Sequence, residues 1–152
     1  MASQSSPESS APVRSFFGQY QRGLDKKGRV ILPARFRELL GDDRIFITKG
    51  IEKHLLLMPV EEYEHRRREM DRLSETSSQA RRFKRRFFAN TEEVRPDGMG
   101  RINIPAFLRE YAGLKNDIVF AGVDSYIEIW DAERWKQHEA ELDAQEDWDE
   151  LM

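Results

Sequence analysis

Short β-prone runs and helix-like runs alternate along the chain in an order that occurs twice. In the first group, two β-prone runs flank a turn, which predicts a β-hairpin. A helix follows at once, because Pro33 suits a first helical turn and Gly41 suits a C-terminal stop. Two more strands come next, and a second helix begins after Pro59. We predict the strands of this group at residues 16–24, 29–32, 45–48 and 55–58.

The same order returns 72 residues later, so the chain contains an internal repeat. Residues 25–63 align without a gap with residues 97–135, and ten of these 39 positions are identical. Chance would give about two identities if each residue type occupies roughly one position in twenty. The identical residues of the first copy are Asp25, Gly28, Arg29, Pro33, Ala34, Arg37, Glu38, Gly41, Gly50 and Glu61. The second copy is predicted to have strands near residues 89–95, 101–104, 118–121 and 126–130, with Asp131 capping a last helix.

One copy alone is too small to make a stable core. A unit of about 45 residues with four short strands cannot bury enough apolar surface to fold by itself. Two copies can interleave their hairpins and share a single core. We therefore predict one pseudo-symmetric α+β domain, in effect a dimer fused into one chain.

The segment between the copies, residues 64–88, has a different composition. Its helix-forming residues, interrupted at residues 74–78, predict a pair of helices with a net charge of +5. Phe83 and Phe87 lie four residues apart, which fits one buried helix face. Two interpretations of the basic residues remain open. They belong to a solvated helix pair packed on the core or on a neighbouring subunit, or they contact nucleic acid directly.

These features divide the chain into five parts. The Ser-rich N-terminus lacks an apolar core, so we interpret it as a disordered arm and not as a secretory signal. The predicted parts are the arm at residues 1–15, the first half at 16–63, the basic helical connector at 64–88, the second half at 89–135 and an acidic tail at 136–152.

Charge is strongly segregated along the chain, although the net charge is only −3. From Asp131 onward, nine acidic residues face two basic ones, a balance of −7 that leaves +4 on the residues before it. A basic body indicates a polyanionic partner. The acidic tail either competes with that partner or only adds solubility.

Several classes of function are excluded or disfavoured by what the sequence lacks. The chain has no cysteine, which excludes disulfide scaffolds and thiolate nucleophiles. His54, His65 and His138 are isolated, and no metal-ligand spacing, phosphate loop or nucleophile elbow is present. We expect no catalytic site, no metal and no cofactor. No apolar run approaches the roughly 18 residues of a membrane span, so a cytosolic location is the default expectation.

The candidate functional residues lie at the two predicted turns. Each turn carries the pattern Asp-x-x-x-Arg, as Asp25 with Arg29 and as Asp97 with Arg101. We interpret each Asp as structural, because its side chain favours turns and can form an ion pair with the Arg. An exposed pair of this kind contributes only about 0.2–1 kcal/mol.

The arginines are better candidates for binding than for structure. Gly28 and Gly100 supply the positive φ that such turns need. Lys26 and Lys27 add two cations beside Arg29, whereas the second turn has glycine and methionine in their places. A projecting tip of this kind can contact phosphates, and an Arg can also bind guanine in the major groove. We therefore expect the first turn to dominate any contact with a polyanion.

At this point the sequence resembles the MraZ family of bacterial transcriptional regulators. The resemblance rests on two Asp-x-x-x-Arg motifs, one in each tandem half, which stand here as LDKKGR at residues 24–29 and PDGMGR at residues 96–101. Flanking runs at residues 32–37, 111–114 and 128–131 are also similar to the family. The resemblance covers about residues 16–136 and leaves out the arm and most of the acidic tail.

This resemblance implies a fold and a function. The fold would consist of two AbrB-like swapped-hairpin units with an inserted helix pair. The chains would assemble into closed homo-oligomeric rings that bind direct repeats in the promoter of the division and cell-wall gene cluster, chiefly as a repressor. The protein would lie in the cytoplasm, on the nucleoid. Arg29 and Arg101 would carry the contact with double-stranded DNA.

Two other classes of function remain as alternatives. The first is a self-assembling scaffold or protein-interaction module without a specific operator, which uses the basic connector and the acidic tail. The second is an enzyme of an unrecognised kind. The scattered histidines and the absence of a convergent polar set disfavour the enzyme.

Overall fold

The computed structural model describes residues 14–152, so residues 1–13 of the predicted arm lie outside the described part of the chain. The first half contains β1 (Gln19–Gly23), β2 (Arg29–Ile31), α1 (Ala34–Leu40), β3 (Ile45–Lys49) and β4 (Leu55–Pro59). Two helices follow, α2 (Val60–Asp71) and α3 (Ser78–Ala89). The second half contains β5 (Glu92–Val94), β6 (Arg101–Asn103), α4 (Ala106–Ala112), β7 (Asp117–Val123), β8 (Tyr126–Asp131) and α5 (Ala132–Ala144). A short 3-10 turn, Trp148–Glu150, comes last.

The strands form two antiparallel sheets in which the halves are interleaved. The larger sheet has six strands in the order β1-β7-β8-β4-β3-β5, and β2 pairs with β6 in a two-stranded ribbon. The first strand of each half therefore pairs with the other half, β1 with β7 and β5 with β3. The predicted pseudo-symmetric α+β domain of swapped-hairpin type is confirmed.

One local prediction was wrong: the two arms of each turn are not a paired hairpin. β1 leaves the turn to pair with β7, whereas β2 pairs with β6. A two-stranded hairpin on its own is at best marginally stable in water. Pairing each arm with the other half gives both arms a buried face, and this energetic advantage depends on residues far away in the chain.

The main core lies between the six-stranded sheet and a layer formed by the β2–β6 ribbon with α1 and α4. Alternate residues of the central strands point into it, among them Ile45 and Ile47 of β3 and Leu55 of β4. The intervening residues, such as Phe46 and Leu56, form a second cluster on the other face of the sheet. The sheet thus has a ribbon face and an outer face, and α2 packs on the outer face.

Several helix ends agree with the sequence. α1 ends at Gly41 and α4 ends at Gly113, both with positive φ, as predicted for C-terminal stops. Asp131 caps α5 by accepting a hydrogen bond from the Arg134 backbone N–H at 3.4 Å. The connector consists of two helices, α2 and α3, with the break where it was predicted.

Three boundaries and faces differ from the predictions. Phe87 is buried, but Phe83 is 49% exposed, so they do not share a buried face. The reason is that Arg86 fixes the last turn of α3 by donating to the Gly50 carbonyl, whereas Phe83 lies one turn earlier beside an open cavity. Arg14, placed in the arm, already pairs with Asp43 at 2.7 Å. The predicted tail is helical as far as the end of α5.

Within residues 14–152, none of the helices is both long enough and apolar enough to cross a membrane.

Candidate nucleic-acid interface

The first tip, residues 25–29, is organised around the carboxylate of Asp25. One oxygen, Oδ1, accepts hydrogen bonds from the backbone N–H groups of Lys27 at 2.9 Å and Arg29 at 2.8 Å. The other oxygen, Oδ2, accepts from Arg29 Nε at 2.9 Å. The predicted ion pair is therefore present, and the same carboxylate also holds the backbone of the turn.

The second tip, residues 97–101, repeats this arrangement. Asp97 accepts from the backbone N–H groups of Met99 and Arg101, both at 2.9 Å, and from Arg101 Nε at 2.8 Å. In both tips Asp binds the Nε edge of the Arg, and the two terminal nitrogens of the guanidinium have no partner within residues 14–152. Each Arg is thus held in one orientation with two donor groups available to a ligand.

Each tip is also supported by an arginine of the other half. Arg109 of α4 lies against Gly28 and donates to the Ile104 carbonyl at 2.6 Å. Arg37 of α1 lies against Gly100 in the same way. A side chain at either glycine, whose φ angles are +86° and +82°, would collide with the guanidinium. These glycines are therefore required both for the backbone conformation and for the close approach of the arginine.

Sequence reasoning missed these two supporting arginines. Arg37 and Arg109 are equivalent positions of the repeat and are identical between the copies. That identity was the available signal, because neither residue belongs to an apolar helix face. Their partners lie in the other half, so the contact depends on the interleaving that the local pattern did not reveal.

The two tips belong to a single surface, the outward face of the β2–β6 ribbon. In the antiparallel register Arg29 is opposite Asn103 and Ile31 is opposite Arg101. These four side chains share the outward face, whereas the intervening Val30 and its partner point into the core. Diagonal neighbours of this kind are about 7–8 Å apart. The ribbon therefore presents two fixed arginines side by side.

The remaining predicted binding residues lie at the end of the first tip. Lys26 and Lys27 are both exposed, and the equivalent Met99 is 64% exposed. The tips thus differ in charge, with two additional cations at the first. The expectation that the first tip dominates contact with a polyanion stays a prediction.

The tip carboxylates have lowered pKa values. Hydrogen bonds from the Arg29 backbone and side chain, and from the Lys27 backbone, hold the pKa of Asp25 below its ordinary value of 3.8, against the opposing effect of burial. The pKa of Asp97 is lowered by the equivalent bonds from Arg101 and Met99. A lowered pKa means that the folded tip favours the charged carboxylate.

We expect both tips to loosen in acid. Because folding lowers both pKa values, the stabilisation is fully present above the ordinary value of 3.8. It is lost as the pH falls through the pKa of the folded tips. A carboxyl NMR titration should show two groups below the ordinary Asp range, and Asp25→Asn should remove one of them. Ordinary pKa values for both groups would contradict the geometry of the tips.

The described residues show no competing site for metal chemistry. Within residues 14–152 no group of three or more His, Asp or Glu side chains is placed to hold a metal ion. His54 is buried, but its Nε2 pairs with Glu128 at 3.2 Å on the outer face of the sheet, away from the tips.

Two interleaved halves with paired Asp-Arg tips on one ribbon define a tandem AbrB-like protein of the swapped-hairpin class. A family model described as "MraZ protein, putative antitoxin-like" matches the chain twice, over residues 15–86 and 87–150. The chain therefore belongs to the MraZ family. The first match includes α2 and α3, so the connector is part of the first repeat.

Curated relatives agree with this assignment. A protein of Symbiobacterium thermophilum named "Transcriptional regulator MraZ" is 44% identical over 124 residues, which cover 82% of this chain and 89% of the relative. Proteins with the same name from Lactiplantibacillus plantarum and Corynebacterium glutamicum are each 43% identical over 129 residues. These matches cover 85% of this chain and 91% and 90% of the relatives.

Proposed function

We propose that this chain is a transcriptional regulator that binds double-stranded DNA through the outward face of the β2–β6 ribbon. The observation that carries the proposal is the pair of Asp-oriented arginines, Arg29 and Arg101, on that one face. Relatives that share more than four-tenths of their aligned residues are named transcriptional regulators, which supports the same class of function.

The ribbon has the dimensions and donor groups needed to read a groove. The major groove admits a two-stranded β-ribbon, and an Arg can donate two hydrogen bonds to O6 and N7 of guanine. With Nε held by Asp, the terminal nitrogens of Arg29 and Arg101 are already oriented before DNA binds. Less side-chain freedom is then lost on binding, which favours affinity. Lys26 and Lys27 are placed to contact phosphates beside the first arginine.

The distribution of charge supports the same face. The acidic helix α5 lies on the outer face, where His138 stacks on Trp130 at 4.6 Å. Its carboxylates are therefore on the side of the sheet that faces away from the ribbon. The basic tips and the acidic helix are separated by the sheet and the core, which leaves the ribbon able to approach a polyanion.

The finer parts of the proposal concern assembly and the operator. The chains form a closed homo-oligomeric ring, and its ribbons bind direct repeats in the promoter of the division and cell-wall gene cluster, chiefly to repress it. One ribbon alone binds weakly. Several ribbons on one ring gain avidity because each later contact is intramolecular. The protein acts in the cytoplasm, on the nucleoid.

Fluorescence anisotropy tests the proposal. Duplex DNA from the chain's own upstream promoter is compared with scrambled DNA at several salt concentrations. We expect preference for the promoter and a steep salt dependence, since each phosphate contact adds about 0.9 to the slope of the log–log plot. Equal binding to both duplexes would reduce the chain to a non-specific polyanion binder. No binding to either would favour the scaffold alternative.

A further inference from the structure

The outer face of the sheet carries an open groove that the proposed DNA contact does not use. It lies between α2, α3 and the β3–β4 turn, and its cavity has a volume of about 400 Å³. It continues along α3 past the side chains that line a second, shallower hollow. We call this surface the Phe83 groove and define it by Ile51, Met70, Gln79, Arg82, Phe83 and Arg86.

The groove exposes apolar and cationic groups together. Phe83 is 49% exposed and Ile51 is 83% exposed, which is unusual for large apolar side chains so close together. Arg82 is exposed and has no hydrogen bond or ion pair within residues 14–152. These features suit an acidic segment with an apolar anchor.

The carboxylates in the cavity do not oppose such a segment strongly. Glu62 pairs with Arg66 at 2.8 Å, and Glu128 pairs with His54 at 3.2 Å. Two of the carboxylates that line the cavity are thus neutralised by neighbours, whereas Arg82 at its rim keeps an uncompensated charge.

The chain itself contains a segment with the matching chemistry, residues 145–152. Trp148 is 42% exposed and Leu151 is 78% exposed, and they stand among four carboxylates. Within the described chain, the hydrogen bonds of its side chains reach only nearby residues, such as that from Trp148 Nε1 to the Leu142 carbonyl at 3.1 Å. Trp and Arg are the residues that most often anchor interfaces.

The groove and the segment lie toward opposite sides of the molecule. α5 begins beside the β3–β4 turn, where Arg134 donates to the Glu52 carbonyl at 2.9 Å. It then crosses the outer face to the β1 edge, where Glu139 accepts from Gln19 at 2.8 Å. The segment therefore leaves the helix beyond β1, whereas the groove lies on the β3–β4 side. This placement favours contact with another copy over contact with the groove of the same chain.

We propose that residues 145–152 of one copy dock in the Phe83 groove of a second copy, with Trp148 as the anchor. The inference rests on the self-association included in the proposed function and identifies the surfaces that carry it. The two surfaces are different, so the contact is head-to-tail, and head-to-tail contacts close into rings when the rotation permits. Both surfaces are on the outer face, so assembly leaves the ribbons free for DNA.

Sedimentation velocity of the full chain tests the anchor. Phe83→Ala and Trp148→Ala should each weaken self-association about ten-fold or more, as expected for a hot-spot pair. The double variant should be no weaker than either single variant, because both remove the same contact. Val123→Ala is the matched control, since it shortens another exposed apolar side chain, 38% exposed, away from the groove. Unchanged self-association in Phe83→Ala or Trp148→Ala would overturn the proposal.

A charge exchange tests whether the contact is between copies. Arg82→Glu and, separately, Asp147→Lys with Asp149→Lys should each weaken assembly. Mixing the two variant chains should restore it, because alternating copies then pair opposite charges at every contact. Arg72→Glu, on an arginine that is 78% exposed, is the control for charge alone. Failure of the mixture to assemble would overturn docking between copies.

A duplex with one repeat separates this inference from the proposed function. We expect Trp148→Ala to bind a single repeat as well as the unchanged chain does, because that contact needs only one ribbon. Assembly that depends on Trp148 without any binding to DNA would remove the proposed function and leave the docking contact standing. Weaker binding of a single repeat by Arg82→Glu, with assembly unchanged, would assign α3 to DNA and overturn the docking contact.

Discussion

A chain with alanine at both Arg29 and Arg101 is expected to bind promoter DNA no better than scrambled DNA. Each arginine presents two terminal nitrogens from a fixed position beside its Asp. Removing one such interaction with a base costs about 1–3 kcal/mol. On an assembly that engages several repeats, this cost recurs at every ribbon, so the apparent affinity falls by far more than it does for one site.

The same anisotropy assay separates binding to bases from binding to phosphates. The single variants Arg29→Ala and Arg101→Ala should each relax sequence preference. Lys26→Ala with Lys27→Ala should instead weaken both duplexes alike and reduce the salt slope by about 0.9 for each phosphate that the protein no longer neutralises. Arg72→Ala removes one cation from α2, on the outer face, and should change little. Normal promoter binding by the double-arginine variant, with its assembly intact, would refute the assignment of the ribbon.

Much of the fold could be predicted because its local signals agree with one another. Gly41 and Gly113 end α1 and α4, Asp131 caps α5, and the repeat fixes the order of elements in both halves. Such signals act within a few residues, so the sequence displays them directly. The Asp25–Arg29 pair is of the same kind, since both partners belong to one turn.

The features that escaped prediction all depend on residues distant in the chain. Pairing of β1 with β7 rather than β2 is decided by which arrangement buries more apolar surface, and no local pattern encodes it. The close approach of Arg109 to Gly28 depends on the same interleaving. Phe83 has the spacing of a core residue, but only the last turn of α3 packs on the body. Periodicity identifies an apolar stripe without identifying what covers it.

Interleaving also changes what a candidate site means in this protein. Each tip carries its own Asp and Arg but is supported by an arginine of the other half, Arg109 or Arg37. The sequence suggested two separate turns, of which the first was the more basic. The structure joins them into one surface, with Arg29 and Arg101 on one face of one ribbon. Removal of either half would therefore disturb both arginines.

Phe36→Ala is expected to destabilise the whole chain by about 3–5 kcal/mol, the usual cost of removing a buried Phe side chain. Phe36 of α1 is fully buried and makes edge-on contacts with the rings of Phe16 at 5.7 Å and Tyr20 at 5.1 Å. Tyr20 belongs to β1, which pairs with β7 of the second half. The cavity therefore opens in a core that both halves share.

Urea unfolding, followed by tryptophan fluorescence and by circular dichroism, measures the effect. All three tryptophans lie in the second half or beyond it, whereas Phe36 belongs to the first half. If the halves share one core, both signals should shift together to lower urea in a single transition. Phe107→Ala is the matched control, because Phe107 is 39% exposed on the equivalent helix α4 and should cost much less. An unshifted fluorescence transition in Phe36→Ala would mean that the second half unfolds independently of the first.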